Sequence, residues 1–180
     1  MQMTFEFETF PFLQTSRLQL RSLEKKNAEQ VLFLRSDRVV NQFIKRQTPS
    51  NIDDALAFIV KIQREYQNKE SVSWAIHLKD DPLMIGSICL WNFSSDRKTA
   101  EVGYDLNPAY HNKKIMTEAL QAILHFGFER LALETIKAFT HYANESSKRL
   151  LTKNGFSIVA GEKDTDNEDN VIFSVHKIIR

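Results

Sequence analysis

A chain of 180 residues with 42% apolar and 26% charged side chains has the size and balance of one globular domain, residues 1–180, with a substantial core. A formal net charge of +1 argues against a nucleic-acid partner held by bulk electrostatics, and no apolar run of about 18 residues marks a membrane span. Cys89 is the lone cysteine, so an internal disulfide and a cysteine-based zinc site are excluded. A reducing cytoplasm fits, and the opening Met-Gln-Met-Thr-Phe-Glu-Phe-Glu is not built as a secretory signal.

The arm at residues 1–14 carries Phe5, Phe7, Phe10 and Phe12. Aromatics at this density are expected to pack, on their own domain or on a partner subunit, which allows a homodimer. Leu18 and Leu20 alternate with Arg17, Gln19 and Arg21, which predicts a first strand over residues 16–22. Residues 27–43 are broadly helical, with Val31, Leu34 and Val39 facing in and a boundary near Ser36-Asp37. Thr48-Pro49-Ser50 is a stop and a restart. Ser50 or Asn51 caps the next helix, Asp53 and Asp54 lie in its first turn, and Ala55, Phe58, Ile59 and Ile62 share one face as far as Gln67.

The period then changes to two. Val72, Trp74, Ile76 and Leu78 make a half-buried strand, residues 79–82 a turn, and residues 83–91 a strand apolar on both faces. A third antiparallel strand follows over Thr99–Leu106. The helix at residues 115–131 carries Ile115, Ala119, Ile123 and Phe126 as its stripe. A strand over residues 135–140 can then lie parallel to Thr99–Leu106 as a βαβ unit. Asn144 caps a short helix, Glu145–Lys153, ended by Asn154-Gly155; the last strands are expected over residues 156–160 and 171–179. Between them, Asp164, Asp166 and Glu168 have the spacing of a calcium loop. The sixth-position glycine is missing and Val175 stands where the closing Glu belongs, so a solvated hairpin loop is expected. His77, His125 and His141 are scattered, and no metal site is expected. The fold class is α/β of the α+β type, a mixed and mostly antiparallel sheet of about six or seven strands flanked by helices.

One stretch joins strand to helix through a short polar turn: Pro108-Ala-Tyr-His-Asn-Lys-Lys-Ile-Met-Thr-Glu-Ala-Leu120. The first turn of a helix has free N–H groups and a dipole that favours negative charge. Lys113 and Lys114 add two cations there, so a phosphate-bearing ligand is expected on this turn.

The order β, α, α, β-β-β, α, β, α, β-β resembles the GNAT superfamily of acetyl-CoA-dependent N-acetyltransferases. Four stretches carry a likeness to its RimJ/RimL branch, the ribosomal-protein N-acetyltransferases. Phe10-Pro-Phe-Leu-Gln-Thr-Ser-Arg-Leu-Gln-Leu-Arg21 is similar to the opening strand of that branch, and Ala100-Glu-Val-Gly-Tyr-Asp-Leu106 to its fourth strand. His111-Asn-Lys-Lys-Ile-Met-Thr-Glu-Ala119 is similar to its pyrophosphate loop, and Asn144-Glu-Ser-Ser-Lys-Arg-Leu-Leu-Thr-Lys-Asn-Gly-Phe156 to its last helix. The family loop has the form Gln/Arg-x-x-Gly-x-Gly/Ala, where this chain has His111, Lys114 and Met116. Lys114 at the glycine position either strains the loop or turns its ammonium onto phosphate.

The resemblance implies that acetyl-CoA lies between two splayed strands, Thr99–Leu106 and residues 135–140. Pantetheine would bond to backbone near Leu106, and the N–H groups of Asn112, Lys113, Lys114, Ile115, Met116 and Thr117 would hold the pyrophosphate. It implies direct attack by the amine with no acyl-enzyme, which fits Cys89 as a buried, inert thiol. The chemistry needs a neutral amine, a donor for the developing oxyanion and a proton source for the thiolate. Glu101 matches the acidic residue of the fourth-strand motif and is the candidate base; its bland alternative is a structural carboxylate paired with an arginine. Many family members carry a tyrosine where this chain has Leu151. Ser147, where RimL-like relatives place a serine, is the candidate partner of the CoA sulfur, or simply a serine in a helix first turn. Asn144 both caps that helix and touches pantetheine. Trp91 and Tyr104 line the acceptor cleft or belong to the core. The expected acceptor is a protein N-terminal α-amine or a small-molecule amine. An α-amine, with a pKa near 8 against about 10.4 for lysine, has a start of about 3.3 kcal/mol at neutral pH. A polyamine or aminoglycoside-type acceptor would want an acidic cleft, for which Asp37, Asp53, Asp54 and Glu65 are candidates. The altered loop also leaves open a non-catalytic acyl-CoA-binding regulatory module.

Overall fold

Segments of period two pair in a single sheet, and segments of period near four cover its faces. The computed structural model describes residues 9–178, so Phe5 and Phe7 lie outside the described residues. The strands are β1 (Leu13–Gln14), β2 (Leu18–Ser22), β3 (Val72–Leu78), β4 (Met84–Trp91), β5 (Thr99–Leu106), β6 (Thr135–His141), β7 (Ser157–Ile158) and β8 (Asn170–His176). The helices are α1 (Ala28–Ser36), α2 (Arg38–Asn41), α3 (Ile52–Gln67), α4 (Ile115–Glu129) and α5 (Glu145–Lys153). Strand order is β1-β2-β3-β4-β5-β6-β8-β7, and every pair is antiparallel except β5 with β6.

Alternation along each strand sorts the core into two clusters. Leu18, Leu20, Trp74, Ile76, Ile88, Leu90, Ala100 and Val102 pack under Ile115, Ala119, Ile123 and Phe126 of α4. Trp74 meets Phe126 edge-on at 5.2 Å. On the other face, Ala75 and Met84 pack under Val31 and Leu34 of α1 and Ala55 and Ile59 of α3. The helices begin where caps permit: Asn51 Oδ1 accepts from the amide of Asp54, and Asp37 Oδ1 accepts from Val39 and Val40, dividing α1 from α2. Gly155, at φ +85°, takes the left-handed turn that ends α5.

The sheet has eight strands rather than six or seven, because β1 is a two-residue edge strand too short to show a period; the strand expected over residues 156–160 is the two-residue β7. Phe10 packs as expected, 5.1 Å from Tyr66 and 6.0 Å from Trp74, and the Trp74 indole donates to Pro11 O at 2.7 Å. Phe12 is 52% exposed instead of packed, and so is Val39, which the one-turn α2 rotates away from the core.

One feature of the sheet governs the rest. β4 and β5 pair along the whole of β5, from Trp91↔Glu101 to Gly86↔Leu106. β5 and β6 pair only from Thr99↔Thr135 to Glu101↔Lys137. Beyond Glu101 the two strands part, while β6 stays zipped to β8 as far as His141↔Asn170. Among the described residues, the β6-facing backbone groups of Val102 to Leu106 therefore have no strand partner.

Candidate active site

The turn that follows β5 has the backbone form of an anion cradle. Asn112 (φ 60°) and Lys114 (φ 58°, ψ 18°) are both left-handed, and α4 starts directly after Lys114. Among the described residues, no amide of residues 112–117 donates to a protein acceptor; the first helical bond is Glu118 N to Lys114 O at 3.2 Å. Free amides converging at a helix start are what an anion requires. Lys113 Nζ donates back to Ala109 O at 2.9 Å, and the His111 ring meets Leu106 O at 3.1 Å.

The cradle is braced from the first strands. Arg17 donates to the carbonyls of Lys113 and Lys114 at 3.0 and 3.3 Å. Its Nε also pairs with Glu118 at 2.6 Å, and Glu118 accepts from Thr15 Oγ1 (2.5 Å), Ser16 Oγ (3.0 Å) and Arg17 N (2.9 Å). Burial works against the Glu118 charge, yet the bonds from Thr15, Arg17 and Ser16 hold its pKa down at about 2. Sequence reasoning missed this brace. An acid in the first turn of a helix is a legible signal, but its partners lie about a hundred residues earlier in the chain.

Where β5 and β6 part, the two faces of β5 carry different chemistry. Tyr104 points to the α4 face, and its hydroxyl lies 2.8 Å from Ser147 Oγ. Asn144 Oδ1 accepts from Ser147 N at 3.1 Å, which fixes the first turn of α5 against the gap. Burial pushes the Tyr104 phenol up to about 12, the Ser147 bond opposing it. Leu151 is fully buried in the core.

Glu101, Gly103 and Asp105 line the opposite face, with Trp91, Cys89 and Ser87 as their cross-strand neighbours. Asn92 donates to Glu101 at 2.6 Å, and no arginine pairs with this carboxylate among the described residues. Burial raises the Glu101 pKa above its ordinary value, the Asn92 bond offsets part of this, and nearby Asp164 raises it further. Burial also pushes the Cys89 thiol up to about 12, so it is no nucleophile at neutral pH. Trp91 is 47% exposed and lies on the face opposite Tyr104, so these two aromatics do not line one wall.

At the far end of that face is a polar network that sequence reasoning did not find. Asp105 accepts from Arg46 at 2.9 Å and from Ser87 at 2.6 Å. Arg46 also donates to Asn41 Oδ1 at 2.7 Å and to Leu34 O at 2.9 Å. The segment carrying Arg46 continues across the gap. Phe43 lies 5.2 Å from the His141 ring at the end of β6, and Lys45 reaches Asn167 at 2.7 Å and Asp169 at 3.4 Å. Three of the four early-helix acids are engaged locally: Asp37 caps α2, Asp54 accepts from Ser50 N, and Glu65 accepts from Ser71 Oγ; Asp53 is exposed in the first turn of α3.

A family description reading acetyltransferase (GNAT) domain matches residues 17–157. The chain belongs to the GNAT acetyltransferases. It is 31% identical over 147 residues to the uncharacterized N-acetyltransferase YoaA of Bacillus subtilis (strain 168), covering 82% of this chain and 83% of that protein. A GNAT-family acetyltransferase of Bacillus anthracis superposes with a TM-score of 0.79 at 26% identity, over 92% of this chain and 98% of that one. RimL, the ribosomal L7/L12 alpha-N-protein acetyltransferase, solved in complex with coenzyme A, shares the fold at a TM-score of 0.80 and 16% identity, over 92% and 98% of the two chains.

This GNAT acetyltransferase is thus an acyltransferase enzyme of a family that takes its acetyl group from acetyl-CoA. Its own residues fit that donor. The unpaired amides of residues 112–117 suit a pyrophosphate, and the unpaired edge of β5 beyond Glu101 suits a strand-like chain of amides such as pantetheine. Among the described residues, no helix is long and apolar enough to cross a membrane.

Proposed function

We propose that this acetyltransferase moves acetyl from acetyl-CoA directly to a primary amine, foremost a protein N-terminal α-amine, with a small-molecule amine as the second choice. The observation that carries this reading is the parting of β5 and β6 after Glu101↔Lys137, with the amide cradle at one end of the gap, Tyr104 and Ser147 on one side and Glu101 on the other.

Acetyl-CoA is the donor substrate and supplies an activated thioester. The amides of residues 112–117, with His111 and Lys114 beside them, hold its phosphates; backbone at Leu106 and Asn144 flank the pantetheine. Glu101 takes the proton of the ammonium, directly or through a water. Its raised pKa brings it nearer the operating pH, where a base is most effective. Trp91 flanks Glu101 on the acceptor side. At a pKa of about 12 the Tyr104 phenol stays protonated at neutral pH. It donates to Ser147 Oγ and so turns the serine hydrogen toward the departing sulfur. A thiol ionises near 8.5, well below either hydroxyl, so Ser147 stabilises the thiolate by a hydrogen bond and keeps its own proton, while the second proton that the amine nitrogen loses on becoming an amide passes to the departing thiolate or to water.

The N-terminal α-amine is favoured over a polyamine or amino sugar because three of the four early-helix acids, Asp37, Asp54 and Glu65, are occupied locally, which leaves only the exposed Asp53 for an acidic cleft. Thiol release from acetyl-CoA, measured with N-terminal peptides, polyamines and amino sugars, tests the reading. Turnover on peptides is expected; a preference for polyamines overturns the acceptor class, and CoA binding without release on any amine overturns catalysis. Glu101→Gln is expected to lower peptide turnover about a hundredfold at pH 7, the loss shrinking as pH approaches the amine pKa near 8. An unchanged rate across pH removes Glu101 as base.

A further inference from the structure

Two arginines meet on the acceptor side of the sheet, and one of them has no counter-ion. Arg46 is matched by Asp105, Asn41 and the Leu34 carbonyl. Asp105 gives one carboxylate oxygen to Arg46 and the other to Ser87. Arg35, the penultimate residue of α1, is half-buried with its guanidinium 3.8 Å over the Phe58 ring. Among the described residues no hydrogen bond and no ion pair reaches it. The charges of Arg46 and Asp105 both act on it, and even with its pKa lowered to about 10, chiefly by burial, it remains a cation at neutral pH. The local balance is two positive charges against one negative.

We propose that Arg35 is the anion-binding group of the acceptor site, so that the preferred acceptor is a primary amine that also bears a carboxylate. This rests on the acetyl-transfer reading above. A planar guanidinium held flat on an aromatic ring keeps its N–H edge free, and that edge matches a carboxylate. A half-buried charge with no partner is costly, and an incoming carboxylate would relieve the cost. The bland account is that Arg35 only complements the C-terminal dipole of α1 and stacks on Phe58. Three observations go further.

First, the Leu34 carbonyl at that helix end already receives Arg46. Second, the face is polarised. Asp105 and the arginines stand at one end of it; Glu101, with the fields of Asp164 and Asp166 upon it and that of Lys137 partly opposing them, stands at the other, four residues or about 13 Å along the strand. An acceptor with an ammonium at one end and a carboxylate at the other aligns with that field, whereas a polycation is repelled at the arginine end. Third, the segment at residues 43–46 crosses the gap between β5 and β6 and is tied down on both sides, at His141 and Asp169 and at Asp105. Its Arg46 bonds the carbonyl next to Arg35 and acts on that half-buried charge, and partial exclusion of water there strengthens a charge contact.

The carboxylate has two possible sources: a free amino acid, or an acidic side chain near a protein N-terminus. Matched acceptor pairs distinguish them. One pair is a peptide with Glu at its second position and the same peptide with Gln; the other is a free amino acid and its amide. Wild-type protein is expected to prefer the carboxylate member of one pair by about tenfold in kcat/KM, the difference lying in KM. Which pair shows it names the source. Arg35→Met keeps the stem over Phe58 and removes the charge. It is expected to bring the ratio close to one while the CoA dissociation constant holds, and Arg35→Lys should recover part of the preference. Equal kcat/KM for both members of both pairs, or a ratio unmoved in Arg35→Met, overturns the proposal. Calorimetric binding of the same acceptors to the protein–CoA complex reads the site without chemistry. Arg35-dependent binding with no acetyl transfer would overturn the acetyl-transfer reading and uphold the anion site. Transfer without a carboxylate preference would do the reverse.

Discussion

At the scale of single residues, the contact between Tyr104 and Ser147 joins two groups 43 positions apart in sequence into one unit. Leu151, where the family resemblance leads one to look for a tyrosine, is fully buried, and Tyr104 of β5 reaches Ser147 one turn earlier on the same helix. If Tyr104 acts by orienting the Ser147 hydroxyl, the two must be non-additive. Ser147→Ala is expected to lower kcat about tenfold with little change in CoA affinity, the size of one hydrogen bond to a developing charge. Tyr104→Phe should cost less, and the double variant no more than Ser147→Ala alone. Steady-state kinetics on all four proteins, with CoA binding measured alongside, check this. Fully additive losses would mean that each hydroxyl meets the donor separately, and an unchanged kcat in Ser147→Ala would leave it as a serine of a helix first turn.

At the scale of elements, the cradle and its brace decide how well an unusual loop sequence performs. Lys114 holds a left-handed conformation that suits glycine, at a cost of about 1 kcal/mol for a residue with a Cβ. Its ammonium has no hydrogen-bond partner among the described residues, and its backbone lies within the stretch of free amides. Lys114→Gly is therefore expected to raise stability by about 1 kcal/mol and to weaken CoA binding by several-fold, with a shallower salt dependence. Lys114→Met should lose the affinity without the gain in stability. Chemical denaturation and CoA titration separate the two effects, and unchanged CoA affinity in both variants would show that the lysine only obstructs. The brace has its own pH signature. The Glu118 pKa of about 2 lies below the unfolded value near 4.3, so its contribution is complete above about pH 4.3 and fades as pH falls toward 2. Glu118→Gln is expected to flatten the fall in melting temperature between about pH 5 and 3.

Elements with a clear period were legible from sequence. β3 and β5 fall where alternation places them, α4 opens at Ile115, Asn51 and Asn144 cap as expected, and β6 is parallel to β5. Two-residue strands carry no period, and a one-turn helix gives no stripe, which is why β1 and the exposure of Val39 were not foreseen. Of the site, the residues were legible and their partners were not. Periodicity says which face Glu118, Tyr104 or Asp105 takes, and nothing in it says that Arg17, Ser147 or Arg46 waits there.

At the scale of the whole molecule, the parted strands are joined again outside the sheet. On the α4 side Tyr104 and Ser147 join β5 to α5, and on the other side residues 43–46 tie the ends of β5 and β6. The two ties of that segment differ in strength. Lys45 and Asp169 are half-exposed or more, a pair worth little in water. Arg46 and Asp105 are 18% and 6% exposed, and breaking such a pair leaves a buried charge uncompensated. Arg46→Met is therefore expected to destabilise by about 3 kcal/mol. Asp105→Asn should also destabilise, because it strands the Arg46 charge. The double variant should cost about 2 kcal/mol less than the sum of the two. Denaturation midpoints of the four proteins measure this coupling. The same cycle in KM for the acceptor, at saturating acetyl-CoA, asks whether the segment serves the site. If it holds the acceptor face in shape, Arg46→Met raises KM while CoA binding stays put. A coupling energy near zero would mean that Arg46 is held by Asn41 and Leu34 alone, and that the segment spans the gap without fastening it.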